Sequence, residues 1–256
     1  MPIIISHGLP KSGSSFCFQV LHTASSIENK ILGFKGKFYS HDGLIDRYHL
    51  NYTHDEIFKS FQIYQKSMMR DNEYIIYKTH KPPTDYIKKE IIEGRINAIS
   101  TIRNPFDVAL SLIDAGKRDR VLNKKNFFTT IFNLEDTIEA VKEGFQNSIQ
   151  WCGLNVDLIP YSFLSYNKEK FIIFLLKKFN LSKHSSIVFD KLKSDEKIHQ
   201  YNKGINNRWR KELPQTKIDY LESIFKKEMD LYNSIEEKFF SKNKLSIVYN
   251  MIKSDM

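Results

Sequence analysis

The chain has 256 residues, is 41% hydrophobic and carries 39 Lys and Arg against 30 Asp and Glu, a formal charge of +9. That length and apolar content suit one large domain, taken as a single unit over residues 1–256, and 7 Pro with 10 Gly argue against long disordered stretches. The lysines are spread along the chain rather than gathered into one stripe, which excludes a dedicated nucleic-acid binder.

The charge has two readings, a solvated Lys-rich surface or a field that draws in an anionic ligand. No apolar run approaches the roughly 20 residues needed to cross a bilayer. The opening Met1 to Gly8 shows no basic leader and no cleavage site. Cys17 and Cys152 lack metal-ligand spacing and lie in apolar stretches. A reduced, cytoplasmic protein is therefore expected.

In chain order, the β-branched runs Ile3–Ser6, Tyr74–Thr79, Ile96–Ile102 and Val156–Tyr161 predict buried strands. Helical periodicity predicts helices over 14–26, 106–114, 135–151, 168–180 and 215–232. The first places Phe16, Val20, Leu21 and Ala24 near one face, and Pro214 suits the first turn of the last. Strands alternating with helices imply an α/β fold, a three-layer sandwich with a central parallel sheet and helices on both faces. In such sheets ligands bind beyond the carboxyl ends of the strands, so chemistry is expected just after each run.

After the first strand comes Ser6-His7-Gly8-Leu9-Pro10-Lys11-Ser12-Gly13-Ser14-Ser15. A small-residue turn into a helix exposes backbone N–H groups and a partial positive charge, which together cradle an anion. The alternative is a turn that merely needs glycine. Gly8, Gly13 and Ser15 fit the spacing of the nucleoside-triphosphatase loop G-x-x-x-x-G-K-[ST]. Ser14 stands where that loop has lysine, and Lys11 lies inside the loop instead. That shift argues against holding a triphosphate with Mg²⁺.

After the second strand come Lys78-Thr79-His80-Lys81-Pro82. A neutral imidazole at the active edge suits a general base near pH 7. His7 precedes the loop after the first strand, and His41, His49 and His54 lie in a loop-like region that could approach it. After the third strand comes Arg103-Asn104-Pro105-Phe106-Asp107, with Ser111 further along the following helix.

These elements together resemble the PAPS-dependent sulfotransferases (PAPS, 3′-phosphoadenosine-5′-phosphosulfate), closest to the cytosolic branch with a histidine base. Pro10-Lys11-Ser12-Gly13-Ser14-Ser15-Phe16 is similar to that family's P-K-S-G-T-T-W. The resemblance implies that Lys11, Ser12, Gly13, Ser14 and Ser15 hold the 5′-phosphosulfate and that Phe16 stacks on adenine. Lys78-Thr79-His80 matches K-T-H, implying His80 as base and Lys78 as a contact to the transferring group. Arg103 and Ser111 match the family's 3′-phosphate pair.

Asn202-Lys203-Gly204-Ile205-Asn206-Asn207-Arg208-Trp209 is similar to R-K-G-x-x-G-D-W, with Asn202 for the arginine. The resemblance implies phosphate binding by Lys203 and the backbone at Gly204; a basic turn anchored by Trp209 is the other reading. Tyr161, followed by Ser162-Phe163 where the family has two acids, and Phe189 either help hold adenine or pack the core. No metal is expected, because no carboxylate cluster adjoins the loop.

The implied activity is in-line sulfuryl transfer from PAPS to the hydroxyl or amine of a small-molecule or glycan acceptor. A phosphotransferase using ATP and Mg²⁺, or a non-catalytic nucleotide binder, are the alternatives. Phe34, Phe38, Tyr39, Tyr48 and Tyr52 are candidates for an acceptor pocket, and Lys117-Arg118-Asp119-Arg120 faces either an anionic sugar or water. The register Arg210 to Asp219 departs from the family's dimerisation motif, which leaves the oligomeric state open.

Overall fold

The computed structural model describes residues 3–31, 39–40, 43–44, 74–154, 156–193 and 204–243. His41, His49, His54, Phe34, Phe38, Tyr48, Tyr52, Asn202 and Lys203 lie outside them. Four parallel strands form the central sheet in the order β4-β1-β5-β6, where β1 is Ile3–Gly8, β4 Ile75–Thr79, β5 Ile96–Ile102 and β6 Asp157–Pro160. A separate two-stranded antiparallel ladder pairs β2, Tyr39–Ser40, with β3, Gly43–Leu44.

Why these runs become strands follows from their surroundings. A parallel strand with both faces covered needs apolar side chains on both, so it reads as a continuous β-branched run rather than an alternating one. In β1 every residue is buried. Successive side chains project to opposite faces. Ile4 joins one core with Val20 and Leu21 of α1 (Ser14–Ile31) and Leu175 of α6 (Lys168–Lys178). Its neighbours Ile3 and Ile5 join a different core, with Ile87 and Trp151. Those two residues belong to α2 (Asp85–Ile92) and α4 (Ile138–Cys152).

A third core gathers around α3 (Pro105–Val121), where Phe106 meets the edge of Trp209 at 5.0 Å. Trp209 opens the short α8 (Trp209–Glu212), and the long α9 (Gln215–Lys242) covers this core and reaches the first one through Phe239 and Phe240. The first core also takes in α5 (Tyr161–Tyr166) and α7 (Ser185–Leu192).

The predicted strands and helices are present with shifted ends. Tyr161 leaves the last strand and becomes the first residue of α5, because Pro160 caps that helix in extended conformation. The helix expected over 135–151 begins with a 3₁₀ turn at Glu135–Thr137. Pro214 caps α9 instead of lying in its first turn. No helix among the described residues is long and apolar enough to cross a membrane.

The densest packing is aromatic. Phe163 lies within 5.5–6.1 Å of Phe171, Phe174, Phe239 and Phe240, ring centre to ring centre. It therefore joins α5, α6 and α9 at one point. Phe163→Ala would lose its transfer free energy and leave a cavity among large neighbours, so a loss of about 3–5 kcal/mol is expected in chemical denaturation.

Candidate functional site

All four parallel strands end along one edge, and the register brings their last residues side by side: Gly8 beside Thr101, and Ile102 beside Pro160. The residues just beyond those ends are Leu9, His80, Arg103 and Tyr161. The sheet itself, not a later adjustment, therefore brings these parts of the sequence together.

The loop after β1 is tightly determined. Gly8 admits no larger residue: a Cβ there would lie 2.2 Å from Thr101 Oγ1 and 2.6 Å from Ser14 Cβ. Leu9 N–H donates to Thr101 O at 3.1 Å. Ser12 Oγ donates to Leu9 O at 2.6 Å, which uses its one hydrogen, so Thr101 donates to Ser12 Oγ at 2.7 Å. Lys11 and Gly13 both adopt left-handed backbone, with φ of 68° and 87°. For lysine that conformation costs roughly 1–2 kcal/mol, which the loop's own hydrogen bonds must offset. Residues in such alternation turn successive N–H groups toward one point. The first turn of α1 adds amides that have no acceptor inside the helix.

The loop side chains divide into two sets. Ser12 and Ser14 are buried, Ser12 with its hydroxyl spent inside the loop. Phe16 lies in the core, its ring 5.9 Å from Phe171. Lys11 Nζ approaches the ring of Phe128 at 5.8 Å, and Ser15 Oγ accepts from Lys78 Nζ at 3.1 Å.

His80 Nδ1 lies 2.5 Å from Gly8 O. A carbonyl only accepts, so Nδ1 carries the hydrogen and Nε2 of the neutral ring is left as the basic nitrogen. The turn bearing His80 is held from α4: Asn147 Nδ2 donates to His80 O at 3.5 Å and Trp151 Nε1 to Lys81 O at 3.1 Å. Trp151 also stacks on the buried ring of His7, 4.9 Å between centres, and His7 Nδ1 pairs with Ser100 Oγ at 2.7 Å.

Burial governs the charges here. It pushes His80 down to about 4, with the nearby Lys78 ammonium acting in the same direction. Burial also lowers His7, helped by His80. It brings Lys78 down to about 8, and Lys11 to about 8 with added repulsion from Arg118 and Arg103. Both histidines are neutral near pH 7, and both lysines are cations held against a desolvation cost.

Arg103 is buried at the end of β5. Its Nη1 donates to Lys11 O at 3.2 Å, its Nη2 to Ile205 O at 2.6 Å, and its guanidinium lies 4.0 Å from the centre of the Tyr161 ring. Tyr161 in turn packs where a Cβ on Gly13 would reach it at 3.1 Å. Lys11, Gly13, Arg103 and Tyr161 thus form one contiguous group. Ser111 is buried on α3, on the side that also carries Asp107. Phe189 packs half-buried against the same core as Phe16.

The segment at 204–212 closes over this edge. Gly204 has φ of 70°. Asp107 accepts from Asn207 N–H at 2.7 Å and Trp209 N–H at 3.4 Å, and lies 3.6 Å from Arg103. Arg208, also buried, donates to Asp114 at 2.6 Å and to Glu212 at 2.7 and 3.0 Å. The sequence offered no role for Asp107 or Arg208, because the contacts that join the 204–212 segment to α3, Asn207 to Asp107 and Arg208 to Asp114, span about a hundred positions of the chain. The one available signal was an acid in the first turn of a helix that also follows a strand-end arginine. Among the described residues, no group of three or more His, Cys, Asp or Glu is arranged to hold a metal ion.

No family model and no curated protein matches the sequence. Among solved structures, the chain is similar to mouse sulfotransferase SULT7A1 complexed with PAP. The TM-score is 0.52 and the identity 14%, over 93% of this chain and 89% of that one. Two structures of retinol dehydratase match with a TM-score of 0.49, over 88% of this chain and 80% of each. One is in complex with androsterone and inactive cofactor PAP, at 14% identity, and the other with retinol and PAP, at 13%. The likeness to the mouse structure is one of fold: the two share an α/β architecture.

Proposed function

We propose that the chain transfers a sulfuryl group from PAPS to an acceptor hydroxyl or amine. The observation that supports this most is the His80–Gly8 hydrogen bond. It fixes a basic nitrogen directly beside a loop suited to an anion, in a place where Lys11 and Lys78 are already cationic.

The residues present fit a donor of this kind. The left-handed Lys11 and Gly13 and the start of α1 make a P-loop-like anion cradle. Two lysines lowered to about 8 gain most from a bound anion, since it relieves their mutual repulsion and replaces lost hydration. Arg103 Nε is buried without a hydrogen-bond partner. Arg103, Ser111 and the segment from Lys203 and Gly204 onward are assigned to the 3′-phosphate side. Tyr161 holds Arg103 in place. Phe16 and Phe189 act from the core, as supports for the adenine side rather than as exposed stacking faces.

PAPS supplies a sulfuryl group on a phosphate leaving group. Lys11 and the loop amides neutralise the charge that grows on that phosphate as its bond to sulfur breaks. Lys78, anchored through Ser15, contacts the transferring group. His80 Nε2 takes the proton of the acceptor as its oxygen or nitrogen bonds to sulfur. The positioning of these groups before the reaction accounts for much of the expected rate.

Three outcomes are expected. First, calorimetry shows binding of 3′,5′-diphosphoadenosine without any divalent metal; Mg²⁺-dependent ATP binding with no affinity for that ligand points to a phosphotransferase instead. Second, His80→Ala lowers kcat by about 10²–10⁴-fold in a labelled-PAPS assay while leaving diphosphoadenosine affinity intact. Wild-type turnover in that variant places the base elsewhere.

Third, the pH dependence is set by the lowered values. His80 acts as base only when deprotonated, so kcat/KM falls on acidification near its value of about 4, well below the usual 6.5 for histidine. Lys11 and Lys78 bind the anion only when protonated, so diphosphoadenosine affinity falls as pH rises through about 8. Binding near pH 8 then takes up protons, which calorimetry in buffers of different ionisation enthalpy measures directly.

A further inference from the structure

The rim of the site contains one built feature without a role so far, the end of α3 and the turn that follows it. Beyond Val121 the chain folds back through a 3₁₀ turn at Phe127–Thr130. Gly116 permits the close approach: a Cβ there would lie 2.4 Å from Ile131 O and 2.6 Å from Phe128 O. Arg120 Nη1 then clamps the turn, donating to Thr129 O at 3.1 Å and Ile131 O at 2.7 Å. The fold-back sets Phe128 beside Lys11 Nζ and Phe127 against Phe128, 5.9 Å between ring centres. Phe127 is 57% exposed and Phe132 61%. An aromatic path therefore leads from the reactive end of the loop to the surface.

The stretch beside Phe127 and Phe128 is mainly basic; the acid Asp136 lies at the Phe132 end, where it accepts from Phe132 N–H at 2.8 Å. The acid within the stretch, Asp119, is buried and already accepts from Arg118 Nε at 3.2 Å, Lys124 Nζ at 3.3 Å and Asn126 Nδ2 at 2.8 Å. Asp114, one turn earlier, is held by Arg208. Arg118 keeps Nη1 and Nη2 without a hydrogen bond among the described residues, and its side chain is 36% exposed. It acts on Lys11 as the strongest neighbouring charge. Lys117 and Lys125 add exposed positive charge on either side.

We infer that the acceptor carries an anionic group, a carboxylate or a sulfate or phosphate ester, gripped by Arg118 while its ring or apolar body lies on Phe127 and Phe128. This rests on the sulfuryl-transfer reading and adds an acceptor class to it. A guanidinium with two vacant nitrogens on one edge matches an oxyanion geometrically. The anion also offsets the repulsion between Arg118 and Lys11, so acceptor binding leaves Lys11 better able to stay charged toward the leaving phosphate.

The test uses the full chain, labelled PAPS and matched acceptors. The carboxylate arm compares 4-hydroxyphenylacetate with its primary amide, and methyl glucuronide with methyl glucoside. The ester arm compares glucose 6-sulfate and glucose 6-phosphate with glucose. In at least one pair the anionic member should have about tenfold higher kcat/KM, mainly through KM, and the responding arm identifies the anion. Arg118→Gln should reduce that preference to less than about threefold, with diphosphoadenosine still bound at about pH 6.5, where Lys11 is protonated with or without Arg118, which also reports that the variant is folded.

Neutral members used as well as anionic ones in every pair, transfer to none of them, or a preference that survives Arg118→Gln overturns the inference. Donor binding with no anion preference overturns it alone. Failure of the wild-type chain to bind diphosphoadenosine removes the sulfuryl-transfer reading and this inference with it.

Discussion

The buried guanidinium of Arg103 holds the edge of the sheet together. It touches the loop through Lys11 O, the closing segment through Ile205 O, the start of α5 through the Tyr161 ring, and α3 through Asp107. An isolated charge in that position costs several kcal/mol. The cost is offset because each contact is supplied by a different segment. Asp107 is in turn occupied by the amides of Asn207 and Trp209. Burial shifts its carboxyl upward, against the pull of Arg103. Loop, α3, α5 and the segment at 204–212 consequently form one coupled unit.

That coupling explains how the site can hold so much positive charge. Lys11, Lys78 and Arg103 lie within reach of one another, and His7 and His80 lie beside them. Burial keeps the histidines neutral, so they do not add to the repulsion. It weakens the lysines without discharging them at pH 7. A rigid frame can keep such groups close, where a flexible one would let them separate into water. The stored repulsion is what an anion bound at this edge of the sheet would relieve.

Much of this was legible in the sequence. The strands were visible because parallel, doubly covered strands read as continuous β-branched runs, and β1, β4 and β5 fall nearly where those runs fall. The strand-end rule then placed the loop, His80 and Arg103 together. Less visible was the direction of side chains in the first turns of α1. Periodicity put Phe16 on one face with Val20 and Ala24, and that face is the core, so a ligand-stacking role and the periodicity were in competition from the start. The helix α2 went unread because its apolar stripe is narrow: in Asp85–Ile92 the buried apolar residue is Ile87, while Ile92 is exposed. Asp107 and Arg208 were hidden for a different reason, since the contacts by which they tie the segment at 204–212 to α3 arise only in the folded chain.

The turn after β6 shows what a local motif leaves out. The resemblance has acids following the tyrosine, where this chain has Ser162 and Phe163. Ser162 Oγ donates to Glu236 at 2.5 Å, and Tyr232 O–H donates to the same oxygen at 2.6 Å. All three are buried. The carboxylate at this turn comes from α9, 74 positions away in the chain. Phe163 meanwhile anchors the same helix through Phe239 and Phe240. The substitution of both acids is thus accompanied by a second element that fixes α5. Fixing α5 fixes Tyr161, and Tyr161 lies over Arg103. The length of α9, which reaches past both cores, is therefore part of what holds the guanidinium at the sheet edge.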